Sequence, residues 1–432
     1  MPDRSRREFL ATLGAAALTP SIARAMIESP LAAQSTTTAS PSTPASRGVR
    51  VRTITAGVAM TRALDRSAVE RALESLARAK KRFEAEGYEV QTTRITMPPL
   101  VAALSAKDRR AALASIADID ALVASHGAVC SIGPVLTTDR ADDELVAWSS
   151  EMVKATKSTS FSVVIASPTG GVHARAARVA AEITHAVAMA VADGKGSFRF
   201  AAAANIPGGT PFFPVGWHDG PDAIAIGLQS AELVRLAFVE AEDFEDARRR
   251  LTERMTTELR AVESIASAIA KSEKVRYGGI DTSPAPIGTD SIGSALEALS
   301  KVPFGDAGTL RACALVTETI KSIPVQQCGY SGLMLPVLED AVLAKRGIEG
   351  RYDMRDLLLF SSVCGTGLDV VPIPGDTPVE TITNIVLDVA AQAVRLKKAL
   401  SVRLYLAPGG KPGDPVHFDD PLLNDSVVFR AR

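Results

Sequence analysis

A thiol, an imidazole and two carboxylates, Cys364, His218, Glu339 and Asp369, stand in stretches with more glycine and proline than core packing requires. The first stretch runs Asn205-Ile206-Pro207-Gly208-Gly209-Thr210-Pro211-Phe212-Phe213-Pro214 and continues to Trp217-His218-Asp219. Its prolines and glycines fix a turn-rich backbone after an expected strand, so His218 sits on a rigid loop where it can carry a proton or ligate a metal. The second, Tyr277 to Pro286, pairs Gly278 with Gly279. A backbone without side chains can approach a ligand closely, and Asp281 and Ser283 offer it an acceptor and a hydroxyl. The third is split between Cys328-Gly329-Tyr330-Ser331-Gly332 with Glu339-Asp340, and Val363-Cys364-Gly365-Thr366-Gly367 with Asp369. In a glycine-flanked turn little bulk shields a sulfur, which is where a reactive thiol belongs. Tyr330, Asp340 and Asn205 complete the expected ligand contacts. Each feature also has an ordinary reading: a hydrogen-bonded surface histidine, an Asx turn at Asp281, or first-turn acids favoured by the helix dipole at Glu339 and Asp340.

Together these groups point to an enzyme acting on a small polar metabolite, with Cys364 as nucleophile or ligand and His218, Glu339 and Asp369 as proton-transfer or metal-binding groups. A thiol- or metal-assisted hydrolase or lyase fits that set. The same donors could hold a divalent ion such as zinc, although their positions form no ligand spacing. The alternative is a solute- or metal-binding protein without turnover. The exposure of Cys364 discriminates, since a buried or disulfide-bonded sulfur removes the nucleophile. Cys313 is in phase with Leu310, Val316 and Ile320 on an expected helix, and Cys130 lies in an apolar run, so both read as core. A Cys328–Cys364 disulfide is open in an oxidising compartment. Neither HExxH, nor Gly-x-Ser-x-Gly, nor a Walker loop is present. Thr169-Gly170-Gly171-Val172-His173 could seat an anion at a helix N-terminus, a weak signal.

The elements that must carry these groups read as repeated β-α-β units. A strand over 51–58 is followed by a helix that Asp65 caps and that runs through Phe83; a strand over 160–166, a helix over 173–192 and a strand over 198–204 repeat the order. Such units predict parallel pairing with crossover helices. Later, Pro336 is expected to open a helix ending at Gly347, Asp353 to cap the next, and Thr377-Pro378-Val379-Glu380 to form a capping box for a helix reaching Lys398. A last strand is expected over 401–407.

The chain opens with Ser5-Arg6-Arg7-Glu8-Phe9-Leu10, an Ala/Leu stretch to Leu18, and Ala23-Arg24-Ala25. This is the layout of a twin-arginine signal over 1–25, its apolar part far shorter than the roughly 20 residues an anchor needs. The expectations are export to the periplasm through the twin-arginine translocase and no stable membrane anchor. A polar linker follows over 26–48, then one domain over 49–425 and a tail over 426–432. A formal net charge of −1 with no basic cluster argues against nucleic acid. A small-molecule ligand is the expected partner, with a homo-oligomer open.

The segments GGIDTSPAP, CGYSGLMLPVLEDAVLA and SSVCGTGLDVVPIPGD, with FAAAANIPGGTPFFPVGWHDG and PFGDAGTLRACALV, resemble the domain of unknown function 711 family, also named uncharacterised protein family 0210. The resemblance covers residues 49–425. It implies an α/β fold similar to the glycyl-radical enzymes: a large barrel of about ten strands in two parallel halves, helices outside. It does not imply their chemistry, because Ala407-Pro408-Gly409-Gly410-Lys411 lacks the radical-glycine frame. In that fold a cysteine-bearing loop enters the barrel, which makes the turn at Cys364 its counterpart here.

Overall fold

The computed structural model describes residues 48–60 and 64–432; the expected signal over 1–25 and, apart from Gly48, the linker over 26–48 lie outside the described residues. The first half of the chain alternates strictly: β1 (Arg50–Gly57), α1 (Arg66–Ala85), β2 (Val90–Thr96), α2 (Ala106–Ser125), β3 (Ala128–Leu136), α3 (Asp143–Ala155) and β4 (Ser160–Ser167). The two-residue β5 (Gly171–Val172), α4 (Ala174–Ala190) and β6 (Phe200–Ala204) complete it. The second half holds β7 (Ala223–Gln229), α5 (Ala231–Val239), the long α6 (Phe244–Glu273), β8 (Arg276–Ala285), α7 (Ile292–Ser300) and α8 (Thr309–Lys321). It ends with α9 (Ala341–Ile348), α10 (Met354–Ser361), β9 (Gly367–Pro374), α11 (Val379–Leu396), β10 (Leu400–Ala407) and the short pair β11 (Pro415–Val416) and β12 (Ser426–Val427).

The helices form where apolar residues recur every three or four positions. In α1 the buried Val69, Leu73, Leu76, Ala79 and Phe83 make one stripe, and Asp65 caps the helix by accepting from the Ser67 and Ala68 amides. The strands carry apolar residues on the face turned to these helices and polar or small ones on the other.

All the long strands belong to one sheet, in the order β8-β7-β1-β2-β3-β4-β6-β10-β9. β1, β2, β3, β4 and β6 run parallel. Antiparallel pairs join this half to β7 at one side and to β10 at the other, and β8 and β9 each pair in parallel with these. One parallel group has five strands, and the other four strands stand as two parallel pairs, β7-β8 and β10-β9, at opposite edges of it. The regular sheet does not close. Between its edges runs the irregular segment 326–340, which makes a parallel bridge to β8 at Ile280–Gln327 and another to β9 at Pro336–Asp369. Its direction gives it the place of the missing strand, with Cys328 N–H donating to the Ile280 carbonyl (3.0 Å), Gly365 N–H to Leu333 (2.7 Å) and Val337 N–H to Asp369 (3.2 Å).

Several local expectations are corrected. Residues 276–285 form β8 rather than a loop, because their carbonyls and amides pair with β7. The helix expected from Pro336 begins at Ala341, with Asp340 as its N-cap. Thr377 does not cap α11; its hydroxyl donates to the Pro374 carbonyl (2.7 Å), and Pro378 takes the N-cap place without a side-chain bond. The final residues are docked: Phe429 stacks on Tyr352, its amide donates to the Pro372 carbonyl (2.8 Å), and Arg432 pairs with Asp353. No helix among the described residues is long and apolar enough to cross a membrane.

Candidate functional site

The structure does not gather the four expected catalytic groups. Cys364 has no exposed surface and packs in the main core, its Sγ accepting only the Gly367 amide at 3.4 Å. The flanking glycines serve the backbone. A Cβ on Gly365 would lie 2.3 Å from the Gly332 Cα, so two chain segments cross there and cover the sulfur. His218 is equally buried, its Nε2 3.0 Å from the Pro221 carbonyl and its ring against Gly57, where a Cβ would come within 2.1 Å of Nδ1. The Pro221 contact puts the proton on Nε2, leaving Nδ1 bare, and burial pushes the imidazole below its ordinary pKa. Among the described residues, no hydrogen bond joins His218 to Cys364, Glu339 or Asp369. All four cysteines are free thiols, so Cys328 and Cys364 are not bridged.

Four of the expected ligand contacts, Asp281, Ser283, Tyr330 and Asp340, instead organise the segment between β8 and β9. The Asp281 carboxylate accepts from the Ser283 amide (3.1 Å) and hydroxyl (2.6 Å), the Tyr330 amide (2.8 Å) and the Ser331 amide (3.0 Å). Burial raises its pKa against these donors. Tyr330 reaches across the barrel, its hydroxyl donating to Ser401 Oγ (2.7 Å), which in turn donates to the Thr366 carbonyl (3.0 Å). Asp340 caps two helices at once, accepting from Ile292 and Gly293 of α7 and from Val342 and Leu343 of α9. Asn205, in the left-handed region at φ 55°, donates to the Ala393 and Lys398 carbonyls at the end of α11. The glycine turn before α4 is no open anion seat, because the Asp139 carboxylate already accepts the Arg175 (2.6 Å) and Ala176 (3.1 Å) amides.

Glu339 and Asp369 are brought together, by a residue the sequence reading passed over. Arg403 on β10 donates from Nε to Asp369 (2.7 Å) and from an Nη to Glu339 (2.8 Å). Two more arginines enter the same field: Arg52 from β1 feels Glu339 and Arg403, and Arg94 from β2 feels Arg52, Glu339 and Arg403. Arg94 is 7% exposed. Its contacts are Thr92 Oγ1 (3.3 Å), the Pro211 carbonyl (3.5 Å) and the face of Phe213, 4.9 Å from the ring centre. Among the described residues Arg52 reaches only the Gln91 amide oxygen (3.5 Å) by side-chain hydrogen bond. Among the described residues neither guanidinium has a carboxylate within ion-pair distance. Burial, and then Arg52 and Arg403, push Arg94 down to about 9 against the pull of Glu339, and burial with Arg403 pushes Arg52 down as well. Burial opposes charge on Arg403 too, but Asp369 and Glu339 outweigh it and hold the group well above its usual range. Asp369 is raised by burial and by Glu339, with Arg403 pulling the other way.

The cluster lies within the span of the sheet, with Arg52 near the start of β1, Arg94 late in β2, Asp369 near the start of β9 and Arg403 midway along β10. Below it the space is filled. The loop 205–218 inserts there, the Pro211 carbonyl accepting from the Thr55 hydroxyl (3.2 Å) and the Pro214 carbonyl from Ser131 (3.5 Å). Phe212 and Val215 pack with Ala201, Ala203, Tyr330 and Met334. Glu339, 21% exposed in its side chain, is the cluster's open edge. Two surface depressions, of about 540 and 300 Å³, lie on the outer helices beside Lys107 and Arg178 and do not touch it. No three His, Cys, Asp or Glu side chains converge on a metal site among the described residues.

Residues 45–419 match the family described as Uncharacterised ACR (DUF711). The chain belongs to the DUF711 family. A UPF0210 protein of Pyrobaculum islandicum is 33% identical over 348 residues, 76% of each chain, and one of Clostridium botulinum is 27% identical over 414 residues, covering 88% of this chain and 91% of that one. Among solved structures, the anaerobic ribonucleotide reductase of Thermotoga maritima in complex with dATP and CTP aligns with 87% of this chain and 77% of its own, at 10% identity and a TM-score of 0.41. So distant a likeness carries no chemistry to this DUF711 protein, whose site must be read from its own arginines and acids.

Arg403, Arg94 and Arg52 left one signal in the sequence. Each sits within a strand of a helix-covered sheet, in LSVRLYLA, VQTTRIT and RVRTITAG, where a charge is rare unless it faces something that needs it.

Proposed function

We propose that this protein binds a small anionic metabolite at the arginine–carboxylate cluster of its sheet, with Arg52 and Arg94 as the anion clamp and Glu339 and Asp369, held by Arg403, as a proton-transfer pair. The observation that carries the reading is the buried Arg94 and part-buried Arg52 guanidiniums, neither with a carboxylate within ion-pair distance among the described residues. A buried unpaired charge costs several kcal/mol, a cost that an arriving anion removes. Arginine suits the task because its planar fork meets a carboxylate or phosphate with two parallel hydrogen bonds. Glu339, at the open edge, is the carboxylate best placed to exchange a proton with what binds there, and Arg403 fixes its orientation. This favours proton transfer of the lyase or hydrolase type over thiol chemistry, since the Cys364 sulfur is sealed away.

A divalent cation fits poorly. Both carboxylates are already paired with Arg403, and the excess of guanidiniums in the cluster repels a further positive charge. We also propose, on Arg6, Arg7 and the short apolar stretch behind them, that the protein works in the periplasm after twin-arginine export.

The clamp is tested by calorimetric titration of the purified protein with a panel of small organic acids and inorganic anions. At least one should bind, and Arg94→Met, with an unchanged circular dichroism spectrum, should weaken it about 100-fold, the ~3 kcal/mol of a desolvated charge pair. Equal binding by wild type and variant would remove Arg94 from the site.

A further inference from the structure

The charges around the clamp are unequal in number, and the imbalance names the ligand's charge. From β1, β2 and β10 come Arg52, Arg94 and Arg403; from β9 and the segment between the edges come Asp369 and Glu339. The remaining charges nearby are accounted for elsewhere. Arg52 donates to Gln91, Gln91 Nε2 to Gln229, and Gln229 Nε2 to Asp290 (2.5 Å), so a neutral amide relay separates Arg52 from that acid. Asp290 also accepts the Glu232 amide and faces Arg50 at 3.9 Å, and Arg50 pairs with Glu89 at 3.0 Å. Asp281 accepts only from neutral donors and keeps its own charge, but it is not among the groups that act on Arg52, Arg94 or Asp369. What remains is three positive groups against two negative ones. The relay matters here. By holding Arg52 with amides instead of a carboxylate, it orients the guanidinium without cancelling it.

Resting on the anion-site reading above, we infer that the ligand presents a single negative charge to this cluster, as a monocarboxylate does, rather than the two of a phosphate ester. One negative charge brings the cluster to neutrality. A second would sit in a poorly solvated site with no cation to match it and with the Glu339 carboxylate as its nearest repulsion.

Methanesulfonate and sulfate test this, since they share a tetrahedral SO₃ head and differ in charge, −1 against −2. Both are titrated into the full protein at pH 7.5 and fixed ionic strength, in the wild type, Glu339→Gln and Arg52→Gln. In the wild type methanesulfonate should bind at least about tenfold more tightly than sulfate. Glu339→Gln raises the cluster's net charge by one and should reverse the order. Arg52→Gln lowers it by one and should weaken both anions, which keeps the test open if Glu339→Gln does not fold. Tighter sulfate binding in the wild type, or an order unchanged by Glu339→Gln, overturns the charge assignment while the anion site stands, provided Arg94→Met still weakens binding about 100-fold. If neither these anions nor any member of the panel binds the wild type, the anion site falls along with its charge.

Discussion

The four cysteines show how burial decides reactivity. Burial pushes the Cys130 thiol up to about 12 and raises Cys313 and Cys328 as well, while the Cys364 sulfur has no exposed surface at all. A thiolate is the reacting species, so these sulfurs should be inert in the native protein. An aromatic disulfide reagent at pH 8 should react slowly before denaturation and with four thiols per chain in guanidinium; rapid native labelling of Cys364 would restore it as a nucleophile. Cys364→Ala should likewise leave anion binding within about twofold, losing only ~1–2 kcal/mol of stability from the small cavity. The acids carry the pH dependence. Asp369 is raised by burial and by Glu339, so on acidification it takes a proton before an ordinary carboxylate does. The cluster then gains positive charge, and affinity for a fixed monoanion such as methanesulfonate should rise as pH falls from 7 toward 5. An affinity that falls, in protein still folded by circular dichroism, would contradict the assigned field. The sequence made Glu339 and Asp369 visible but hid what joins them. Arg403 lies 34 residues from Asp369 and 64 from Glu339 along the chain, and only the pairing of β9 with β10 brings them into contact.

Elements with strong local signals were legible, and those defined by distant partners were not. Asp65 and Asp353 cap the helices their positions promised, because a cap depends only on the next few amides. Residues 276–285 looked like a loop for their glycines and prolines, yet those glycines allow close approach: a Cβ on Gly278 would meet the Ile224 carbonyl at 3.0 Å and one on Gly279 the Gln326 carbonyl at 2.7 Å. Glycine read as a ligand approach was an approach between strands. Asp281 is the pin of this arrangement. In Asp281→Asn one carboxylate oxygen becomes an amide donor facing either Tyr330 N–H or the Ser283 and Ser331 donors, so unfolding in urea should show a loss of about 1–3 kcal/mol at pH 7. Because the folded-state pKa of Asp281 lies above its unfolded value, its protonation favours the folded state, fully below the unfolded pKa near 4, and that contribution disappears as pH rises through the folded value. The variant has no such ionisation, so its stability deficit should widen toward low pH rather than stay constant. A deficit independent of pH between 3 and 7 would mean that Asp281 titrates no differently in the folded chain.

Across the whole molecule the closing contacts are the least local ones. The segment 326–340 joins the two sheet edges, Gly332 and Gly365 pass with no room for a methyl, and Phe429 near the chain's end docks on Tyr352 and Pro372. Such contacts form only once most of the chain is in place, since each must first overcome the closure of a long loop. That order bears on the proposed export. A route that carries folded proteins suits a chain whose fold is sealed last by its C-terminal half, whereas threading it unfolded would leave long strand edges open meanwhile. Two variants separate the address from the fold. Arg6→Lys with Arg7→Lys should leave the protein folded and hold it in the cytoplasm, as read by fractionation of cells. Gly332→Ala places a methyl 2.4 Å from the Gly365 Cα, should cost about 3 kcal/mol, and should lower periplasmic yield with the signal intact. If the arginine pair can be replaced without changing where the protein accumulates, the signal reading fails. If Gly332→Ala is exported as well as the wild type despite a measured loss of stability, export does not depend on the packing of segment 326–340 between the sheet edges, and the link between fold and route is broken.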